Sequence, residues 1–548
     1  MKLVITEKPS VAQAVSKVIG AYKREDGYME GSGYIVSWCV GHLVELAEPQ
    51  DYDERYAKWR FEDLPILPED WKTVVSSATK KQYGILKKLM HREDVDSVIN
   101  ACDAGREGEA IFRMVYEKAG CKKPMHRLWV SSMEDTAIRA GFDHLRSGSE
   151  YDRLYHASSC RNKSDWLVGI NATRLFTTQY GRKLTVGRVQ TPTLAMLVER
   201  KAQIEHFKKE TYYKVHISGE EYKLTADEQM SNAAAKALAE KCNGKSATIT
   251  KAESVKKSSK PPKLYDLTTL QREANRYYGF TAKQTLDYTQ KLYEAKLVTY
   301  PRTDSQYLTE DMEAPALGIV SVLLSKIPFV VQTDFTPEIR HTVDNKKVSD
   351  HHAIIPTMES TKTDIKLLSK EEQAIYYLIA QRLICTSAEP MQYFERTVTA
   401  ECEGTGFSAR GKTVVRKGWT AIEETFSSYA VVKKQKKEED DAIMIPEEAK
   451  KGKIIPSVTA EVTEHFTSPP KPYTEDTLLS AMERAGNGEF EKETEKKGLG
   501  TPATRASIIE KLVSAGYATR KGRQITASDD AVNMIEILPD VVTSPRLT

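Results

Sequence analysis

A short apolar strand, a charged turn and an amphipathic helix follow one another twice in this chain, and this repeated order constrains the fold more than any other feature. Residues 3–5 precede Glu7, and residues 98–102 precede Asp103, before apolar positions recur at helical spacing. Alternation of this kind predicts an α/β domain with a parallel sheet, whose ligands bind beyond the carboxyl ends of the strands. Both charged turns are therefore expected at the same sheet edge.

Acidic side chains at that edge predict a site for a divalent cation. Glu7, Asp103 and Glu107 would repel one another unless a cation neutralised them, and hard oxygen ligands suit Mg²⁺. Lys8 and Arg106 supply adjacent positive charge that can hold a phosphate. The alternative is that each of these residues is an ordinary exposed turn residue, which is the usual state of a charged side chain.

Composition argues against several classes of protein. The 548 residues suffice for several domains and contain no run of about 18 apolar residues, so no membrane-spanning helix is expected. The chain begins with an apolar strand that leads directly into charged residues, unlike an export signal, which predicts a cytoplasmic protein. Its seven cysteines form no Cys-x-x-Cys pair, which argues against a zinc ribbon. No P-loop pattern is present, which argues against an ATPase.

The order of predicted elements indicates at least one discontinuous domain. Helical patterns cover residues 151–214, and short alternating strands follow over 214–260. Amphipathic helices are predicted from about 267 to 294, and strand patterns return near 396–432 and 453–465 before helices resume. Strands of similar character on both sides of a helical segment fit one sheet assembled from distant parts of the chain.

A tyrosine and an arginine share a turn fixed by proline. An apolar strand leads to Tyr300, Pro301 holds the turn, and Arg302 follows. A phenol is a poor nucleophile unless nearby cations stabilise its phenolate, and Arg302 could supply that charge or clamp a phosphate. The alternative is a packing role, since the chain has 26 tyrosines and most tyrosines pack with a wet hydroxyl.

Three further groups of polar residues are candidates for functional roles. His351 and His352 follow Asp350 and precede an apolar run, without partners at the spacing of zinc ligands, and a histidine in this setting is more often a hydrogen-bonded structural residue than a catalytic one. The other two groups mix arginine with amide and hydroxyl side chains, as phosphate contacts do and as helix termini also do. Their members are Arg161, Asp165, Arg188, Gln190 and Thr191 in the helical segment, and Thr501, Thr504 and Arg505 near the end of the chain.

Six motifs in chain order resemble those of the type IA DNA topoisomerases, and within that family the bacterial topoisomerase III branch. They are ITEKPS at 5–10, DAGREGE at 103–109, VGRVQTPT at 186–193, TYPRTDS at 299–305, DHHAIIPT at 350–357 and GLGTPATR at 498–505. The resemblance runs from residue 1 to about 548. It therefore covers the whole chain rather than one module.

The resemblance implies a multidomain fold that combines α/β, α and β parts. An N-terminal Toprim domain would stand in a four-domain torus with a central hole, and domains II and IV would be discontinuous. The implied ranges are 1–150 for the Toprim domain, 151–214 and 467–548 for the helical domain IV, 215–279 and 405–466 for the strand-rich domain II, and 280–404 for domain III, which carries the tyrosine.

The resemblance also implies roles for single residues. Tyr300 would be the nucleophile, Arg302 would orient the scissile phosphate, and Lys8 would stabilise charge on the phosphoryl oxygens. Glu7 would lie at the cleavage centre, and His351 would assist it. The implied Mg²⁺ ligands are Glu7, Asp103 and Glu107. The implied DNA contacts are Arg106, Arg161, Asp165, Arg188, Gln190, Thr191, Thr501, Thr504 and Arg505.

The implied activity is ATP-independent cleavage, strand passage and rejoining of single-stranded DNA through a 5′-phosphotyrosine. Relaxation of underwound DNA and decatenation follow from it. A monomer in the cytoplasm, associated with the nucleoid and working with a helicase or a single-strand-binding protein, is expected. The alternatives are a DNA-binding scaffold of the same fold that does not cleave, and another Toprim enzyme such as a primase or a nuclease.

Two departures from the family pattern bear on these expectations. The family commonly has Asp-x-Asp-x-Glu at the metal site, and here Gly105 stands in place of the middle acid. Either Glu109 compensates, or the site holds a single, weaker Mg²⁺. The chain also ends at Thr548, earlier than family members, which predicts an incomplete domain IV.

Overall fold

The computed structural model describes residues 1–130, 133–327, 329, 335–348, 351–430, 445–446, 449–487 and 498–547. Within these ranges the chain forms two seven-stranded sheets, one three-stranded sheet and one two-stranded sheet. Asp350, the first residue of the histidine motif, lies outside the described residues. Of the described helices, none combines the length and the apolar character needed to cross a membrane.

The N-terminal sheet is built around the two predicted strands. Lys2–Thr6 pairs in parallel with Ser97–Ala101 on one side and with Tyr34–Trp38 on the other. Antiparallel strands complete both edges, so the predicted α/β fold with a central parallel sheet is confirmed. The strands in spatial order are Lys23–Glu25, Tyr28–Gly31, Tyr34–Trp38, Lys2–Thr6, Ser97–Ala101, Met125–Arg127 and Arg146–Ser147. Val44–Leu46 and Thr73–Val75 form the two-stranded sheet.

Helices cover both faces of this sheet. Pro9–Ile19 starts with Pro9 in its first turn and ends at Gly20, which has a left-handed φ of 82°. Its apolar side packs on one face together with Asp135–Asp143. Lys80–Met90 and Arg106–Ala119 bury their apolar residues against the other face. This two-sided covering is what an almost continuous run of buried strand residues requires.

The second large sheet is antiparallel and collects strands from distant parts of the chain. Met391–Cys402 pairs along most of its length with both Ala247–Ser259 and Thr405–Arg416. Its position in this sheet places it with the strand-rich segments, although the implied ranges group it with residues 280–404. The strands in spatial order are Ile454–Ile455, Ala247–Ser259, Met391–Cys402, Thr405–Arg416, Tyr222–Ala226, Thr211–Gly219 and Thr459–Phe466. Helix Asn232–Cys242 packs on it.

The strand prediction for residues 396–432 is wrong from residue 419 to residue 429, and its last two residues lie outside the described residues. Residues 419–429 form a helix that begins after Gly418, whose φ is 52°. Ile422 and Phe426 are buried on one side of this helix, four residues apart. Trp, Ile and Phe favour strands by local propensity, and burial at helical spacing against the neighbouring helices overrides that preference.

The segment between the two parts of the antiparallel sheet carries Tyr300. The predicted helical stretch 267–294 consists of two helices, because Gly279 adopts a left-handed φ of 74° between them. The helices are Leu267–Tyr278, Ala282–Glu294, Glu313–Lys326 and Lys370–Ser387. They share a continuous apolar core with one face of the N-terminal sheet.

Helices that precede the strands of the antiparallel sheet in the sequence pack against helices that follow those strands. Asp152–Tyr180 and Gln190–Glu205 share a core with the C-terminal segment. The C-terminal helices are Glu475–Arg484, Pro502–Ser514, Asp529–Ile537 and Asp540–Thr543, beside a sheet of Tyr473–Thr474, Gln524–Ala527 and Ala518–Lys521. The chain therefore returns to an earlier module, as expected for discontinuous domains.

A buried ion-pair network ties helix Arg106–Ala119 to the N-terminal sheet. The carboxylate of Glu109 lies 2.9 Å from Nε of Arg113 and 3.1 Å from Nε of Arg127, and Asn100 donates to it at 2.9 Å. Glu109 and Arg127 are each only 1% exposed. Removing one member would leave the opposite charge buried and unpaired, which costs far more than the pair itself contributes.

Glu109→Ala is therefore expected to lower the free energy of unfolding by roughly 3 to 5 kcal/mol. Urea denaturation followed by tryptophan fluorescence measures this change. Glu93→Ala, at an exposed position of the same module, is the control and should stay within about 0.5 kcal/mol of the parent. Equal denaturation midpoints for the Glu109 and Glu93 variants would contradict the structural role of the network.

Candidate active site

A cavity of about 520 Å³ brings together most of the residues predicted from the sequence. Its lining comes from the ends of strands in the N-terminal sheet, from the tyrosine turn, from the long helix and from the start of a C-terminal helix. The predicted residues at its wall are Glu7, Asp103, Arg106, Glu107, Arg161, Tyr300, Arg302, His351, Thr501, Thr504 and Arg505. Five of the six motifs thus contribute to one cavity, and the motif at 186–193 does not line it.

A short backbone ladder delivers Tyr300 and His351 to the same place. The amide of Thr299 donates to the carbonyl of Ile355 at 3.0 Å, and the amide of Thr357 donates to the carbonyl of Leu297 at 3.0 Å. These two bonds align the residues before Tyr300 with the residues after His351. The centres of the Tyr300 and His351 rings are consequently 4.2 Å apart.

The hydroxyl of Tyr300 faces Asp103. It donates to Oδ2 of Asp103 at 3.2 Å, and Nη1 of Arg302 lies 3.4 Å from the same oxygen. Burial raises the pKa of Tyr300 well above its ordinary value, Asp103 raises it further, and Arg302 opposes both effects. The phenol is therefore held neutral, with its proton directed at a carboxylate.

Glu7 and Asp103 form a buried acidic pair at the predicted sheet edge. Glu7 is 8% exposed, and burial followed by the charge of Asp103 raises its pKa from the ordinary value to about 7. Lys8, Arg302 and the more distant Glu107 modify this value with smaller effects of both signs. Near neutral pH, Glu7 can therefore both accept and release a proton.

Arg127 fixes the loop that carries Asp103. Its guanidinium donates to the carbonyls of Cys102 at 2.7 Å, Asp103 at 2.8 Å and Asn100 at 3.1 Å. Gly108 allows the following helix to come close to this loop, since a Cβ at position 108 would lie 2.0 Å from the carbonyl oxygen of Asp103. The position of the acidic side chain is thus set by the backbone around it.

Glu107 points toward a histidine that the sequence did not single out. Nε2 of His42 lies 2.6 Å from Oε1 of Glu107. This hydrogen bond is the main cause that raises the pKa of His42, and it lowers the pKa of Glu107. His42 comes shortly after the strand Tyr34–Trp38, which ends at the same sheet edge, so the rule that located Glu7 could have located it too.

His351 is neutral in this environment. Burial lowers its pKa to about 3, and its Nε2 donates a hydrogen bond to the carbonyl of Ala104. Its ring lies between those of Tyr300 and Trp129, whose centre is 6.2 Å away. His351 therefore links the tyrosine to the loop of Asp103 without adding charge.

Lys8 is near this group of residues but does not line the cavity. Its Nζ lies 3.8 Å from Oε1 of Glu294, which also accepts a hydrogen bond from Gln290 at 3.0 Å. Glu294 belongs to the helix that precedes Tyr300. The lysine is thus held by the module that carries the tyrosine.

Three candidate DNA contacts form one ion-pair cluster between helix Asp152–Tyr180 and the segment that precedes helix Gln190–Glu205. Oδ1 of Asp165 lies 2.9 Å from Nε of Arg188, and its Oδ2 lies 3.8 Å from Nε of Arg161. Only Arg161 of the three lines the cavity. Gln190 is half-buried, and Thr191 is buried and accepts a hydrogen bond from the amide of Gly187 at 3.0 Å, so these two residues lie off the cavity wall.

The C-terminal candidates serve the local helix as well as the cavity. Thr501 and Thr504 cap helix Pro502–Ser514 reciprocally, and their hydroxyl oxygens are 3.1 Å apart. Arg505 is 2% exposed, and its guanidinium donates to Thr268 at 2.9 Å and to the carbonyl of Leu499 at 3.1 Å. The capping interpretation of this motif is thus observed beside its place at the cavity.

The acidic residues suit a magnesium ion that has few protein ligands. In the described part of the chain, no group of three or more His, Cys, Asp or Glu side chains is arranged to surround a metal ion. Mg²⁺ commonly binds through one or two carboxylates and keeps several waters. Burial and then the repulsion by Asp103 raise the pKa of Glu7, and a divalent cation would offset both effects, so this pair fits Mg²⁺. Glu109 does not contribute, because its carboxylate is buried between Arg113 and Arg127.

Comparison with known families assigns both halves of the chain. The family described as DNA topoisomerase matches residues 149–548, and the family described as Toprim domain matches residues 2–133. The DNA topoisomerase 3 of Bacillus subtilis (strain 168) is 40% identical over 566 residues, which cover 100% of this chain and 77% of that protein. The DNA topoisomerase 3 of Bacillus cereus (strain ATCC 14579) is 38% identical over 572 residues, covering 100% and 76%.

A solved structure supports the fold independently. Full-length topoisomerase I from Thermotoga maritima superimposes with a TM-score of 0.69 at 20% sequence identity. The match covers 98% of this chain and 86% of that chain. The overall arrangement of modules is therefore shared even where the two sequences have diverged.

Replacing Glu7 by glutamine is expected to stabilise the protein above pH 7. The ionised carboxylate is penalised in the folded state, because its pKa is about 7 there and about 4.3 when exposed. The penalty is absent below about pH 4, grows between the two pKa values, and reaches at most about 4 kcal/mol above pH 7. The apparent Tm of Glu7→Gln in EDTA should exceed that of the parent at pH 8 and approach it at pH 5.

Magnesium supplies the control for this prediction. If the ion binds beside Glu7, 10-fold increments of Mg²⁺ should raise the apparent Tm of the parent at pH 8 more than that of Glu7→Gln. A parent that is the more stable of the two at pH 8 in EDTA would contradict the assigned pKa shift.

Proposed function

This chain belongs to the type IA DNA topoisomerases, of the topoisomerase III kind, and we propose that Tyr300 is the residue with which it cleaves DNA. The observation that carries this proposal is the contact between the Tyr300 hydroxyl and Asp103, at 3.2 Å. The two residues are 197 positions apart in the sequence, and one belongs to the tyrosine module and the other to the Toprim match. A purely structural tyrosine has no need of a buried acidic partner that itself costs free energy.

The reaction exchanges one phosphate ester for another. Oη of Tyr300 forms a bond to the phosphorus while the bond from phosphorus to the 3′ oxygen breaks. The 5′ phosphate stays on the tyrosine, and the 3′ oxygen takes a proton and remains bound to the enzyme. Rejoining is the reverse, and because the two esters are similar in energy no ATP is needed, in agreement with the missing P-loop pattern.

Residues around Tyr300 divide the remaining tasks. Arg302 holds the scissile phosphate and counters the charge that keeps the phenol neutral. Asp103 accepts the hydrogen bond of the phenol, and the adjacent Glu7, with a pKa of about 7, takes up the proton from this pair and returns one to the 3′ oxygen. Lys8 stabilises negative charge on the phosphoryl oxygens once DNA draws it from Glu294. His351 is neutral and keeps the phenol oriented.

Glu7 and Asp103 would hold Mg²⁺ in this enzyme, with Glu107 as a further ligand. When bound, the ion supplies positive charge near the phosphate and lowers the cost of the adjacent carboxylates. The Toprim match supports this assignment, as do the three acids on one cavity wall. Turning Glu107 toward the ion requires it to leave His42.

Single-stranded DNA reaches Tyr300 along the long helix. Arg161, Arg106 and Arg188 offer positive charge beside the cavity, while Gln190 and the cap of Thr501 add polar contacts. The domain of residues 280–404 then acts as a gate. It moves away while it holds one end of the cleaved strand, and a second strand passes through the opening. Relaxation of underwound DNA and decatenation follow, in a monomer that acts on the cytoplasmic nucleoid beside a helicase or a single-strand-binding protein.

Tyr300→Phe is expected to lower covalent adduct formation with single-stranded DNA by at least about 1000-fold, because the attacking oxygen is removed. The assay uses an oligonucleotide labelled at its 3′ end and denaturing gels in the presence of Mg²⁺. Attachment through the 5′ phosphate retains this label on the protein. Tyr288→Phe, a half-buried tyrosine on the preceding helix, is the control and should form adduct within about threefold of the parent.

The same assay distinguishes the alternative functions. Undiminished adduct with Tyr300→Phe would refute the proposed nucleophile. Binding without adduct in the parent would indicate a DNA-binding scaffold, and net hydrolysis without rejoining would indicate a nuclease.

Gly105→Asp is expected to lower the Mg²⁺ concentration required for half-maximal relaxation, by about 3- to 10-fold, since it adds a hard oxygen ligand. A Cβ at position 105 meets no atom within 4 Å, and the φ of 163° suits any residue. Gly105→Asn, which has the same size without the charge, is the control and should leave the requirement unchanged. Equal effects of both variants would contradict a metal role for this edge.

A further inference from the structure

The turn before Tyr300 contains a lysine where glycine is expected. Helix Ala282–Glu294 ends in a turn that is closed by two backbone hydrogen bonds. The amide of Leu297 donates to the carbonyl of Leu292 at 2.8 Å, and the amide of Lys296 donates to the carbonyl of Tyr293 at 2.9 Å. In such turns the residue at this position is left-handed and is usually glycine. Lys296 has a φ of 66°. A side chain kept in a strained backbone conformation points to a requirement for that side chain.

The side chain of Lys296 crosses to the N-terminal module. Its Nζ lies 2.5 Å from Oδ1 of Asp135, the first residue of helix Asp135–Asp143. The pair is partly shielded, with 24% and 45% of the two side chains exposed. The hydrogen bond from Lys296 lowers the pKa of Asp135, which is therefore ionised at neutral pH.

Neighbouring contacts fix the backbone around this pair. The hydroxyl of Thr357 donates to the carbonyl of Lys296 at 2.5 Å. One residue before Asp135, the carboxylate of Glu134 accepts the amide of Glu359 at 3.3 Å. The backbone of Lys296 is thus bonded to its own module, and its side chain is bonded to the start of a helix that packs on the N-terminal sheet.

We propose that Lys296 is a positioning residue, whose ion pair with Asp135 seats Tyr300 against Asp103 each time the two modules close. The proposal rests on the proposed role of Tyr300 as nucleophile. Tyr300 follows Lys296 by four residues in an extended segment, so the anchor fixes both the distance and the direction from which the phenol enters the cavity.

Two of the other contacts across this interface cannot do the same work. The apolar core that continues from the N-terminal sheet into the tyrosine module favours contact but imposes little direction. The hydrogen bond from Tyr300 to Asp103 is lost whenever a phosphate is attached to the tyrosine. Lys296 and Asp135 do not line the cavity, so their pair persists through the chemistry and guides the module back for rejoining.

Charge reversal tests the proposal in the full chain. Lys296→Glu and Asp135→Lys each place like charges together and should slow rejoining of a preformed adduct about 5-fold after a high-salt chase. The double variant, which restores an ion pair of opposite direction, should recover the parent rate within about twofold. The Kd for single-stranded DNA, measured by fluorescence anisotropy with Tyr300→Phe in the background, should not change.

Two control variants separate positioning from folding. Lys296→Gly relieves the strained backbone and removes only the side chain, so its apparent Tm should not fall while its rejoining slows about 3-fold. Lys291→Glu disturbs an ion pair with Glu372 that lies within the tyrosine module, at 3.6 Å, and should rejoin at the parent rate.

The results bear separately on the two proposals. Parent-like rejoining in Lys296→Glu, or failure of the double variant to recover, would overturn the positioning role while adduct formation still supports Tyr300. Absence of any dependence of the adduct on Tyr300 would refute the proposed nucleophile, whatever the rejoining rates.

Discussion

The cost of holding carboxylates together away from water governs the architecture around Tyr300. Glu7 and Asp103 occupy neighbouring strand ends and are both nearly inaccessible, and the pKa of Glu7 rises to about 7 as a result. The two carboxylates would move apart if the backbone that carries them were flexible. A parallel sheet, whose strand ends are fixed by neighbours on both sides, is a support that prevents this relaxation.

Arg127 carries that rigidity from the core to the site. Its guanidinium binds the carbonyls at the end of strand Ser97–Ala101, and its Nε pairs with Glu109 below. A buried arginine would be expensive alone, so Glu109 is needed for the loop of Asp103 even though it contacts no part of the cavity. This explains why an acidic residue two positions from a candidate ligand faces inward and cannot replace the acid missing at Gly105.

The sequence predicted which segments carry the site residues, but it did not predict the contacts between those segments. The strands before Glu7 and Asp103 and the helices after them followed from apolar periodicity, which is a local signal. The contact between Tyr300 and Asp103, the pairing of Lys8 with Glu294 and the partnership of His42 with Glu107 join distant segments, so no local pattern encodes them.

Local propensity also failed where packing overrode it. The helix Trp419–Tyr429 has residues that favour strands, and only its burial against neighbouring helices reveals its state. Likewise, Lys296 in a left-handed turn contradicts the preference for glycine, and Asp135, which gives it a reason, is 161 residues away. The exception at Lys296 lies where two modules meet.

The arrangement around Tyr300 suits a reaction whose two phosphate esters are similar in free energy. Burial and Asp103 keep the phenol protonated, so the proposed attack requires its proton to pass to a carboxylate. A permanently ionised tyrosine would be a good leaving group and would disfavour the cleaved ester, and a tyrosine without a nearby carboxylate would have no path for its proton. Placing a neutral phenol between an acid and an arginine leaves both directions accessible, and the neutral His351 preserves that balance because it orients the ring without adding charge.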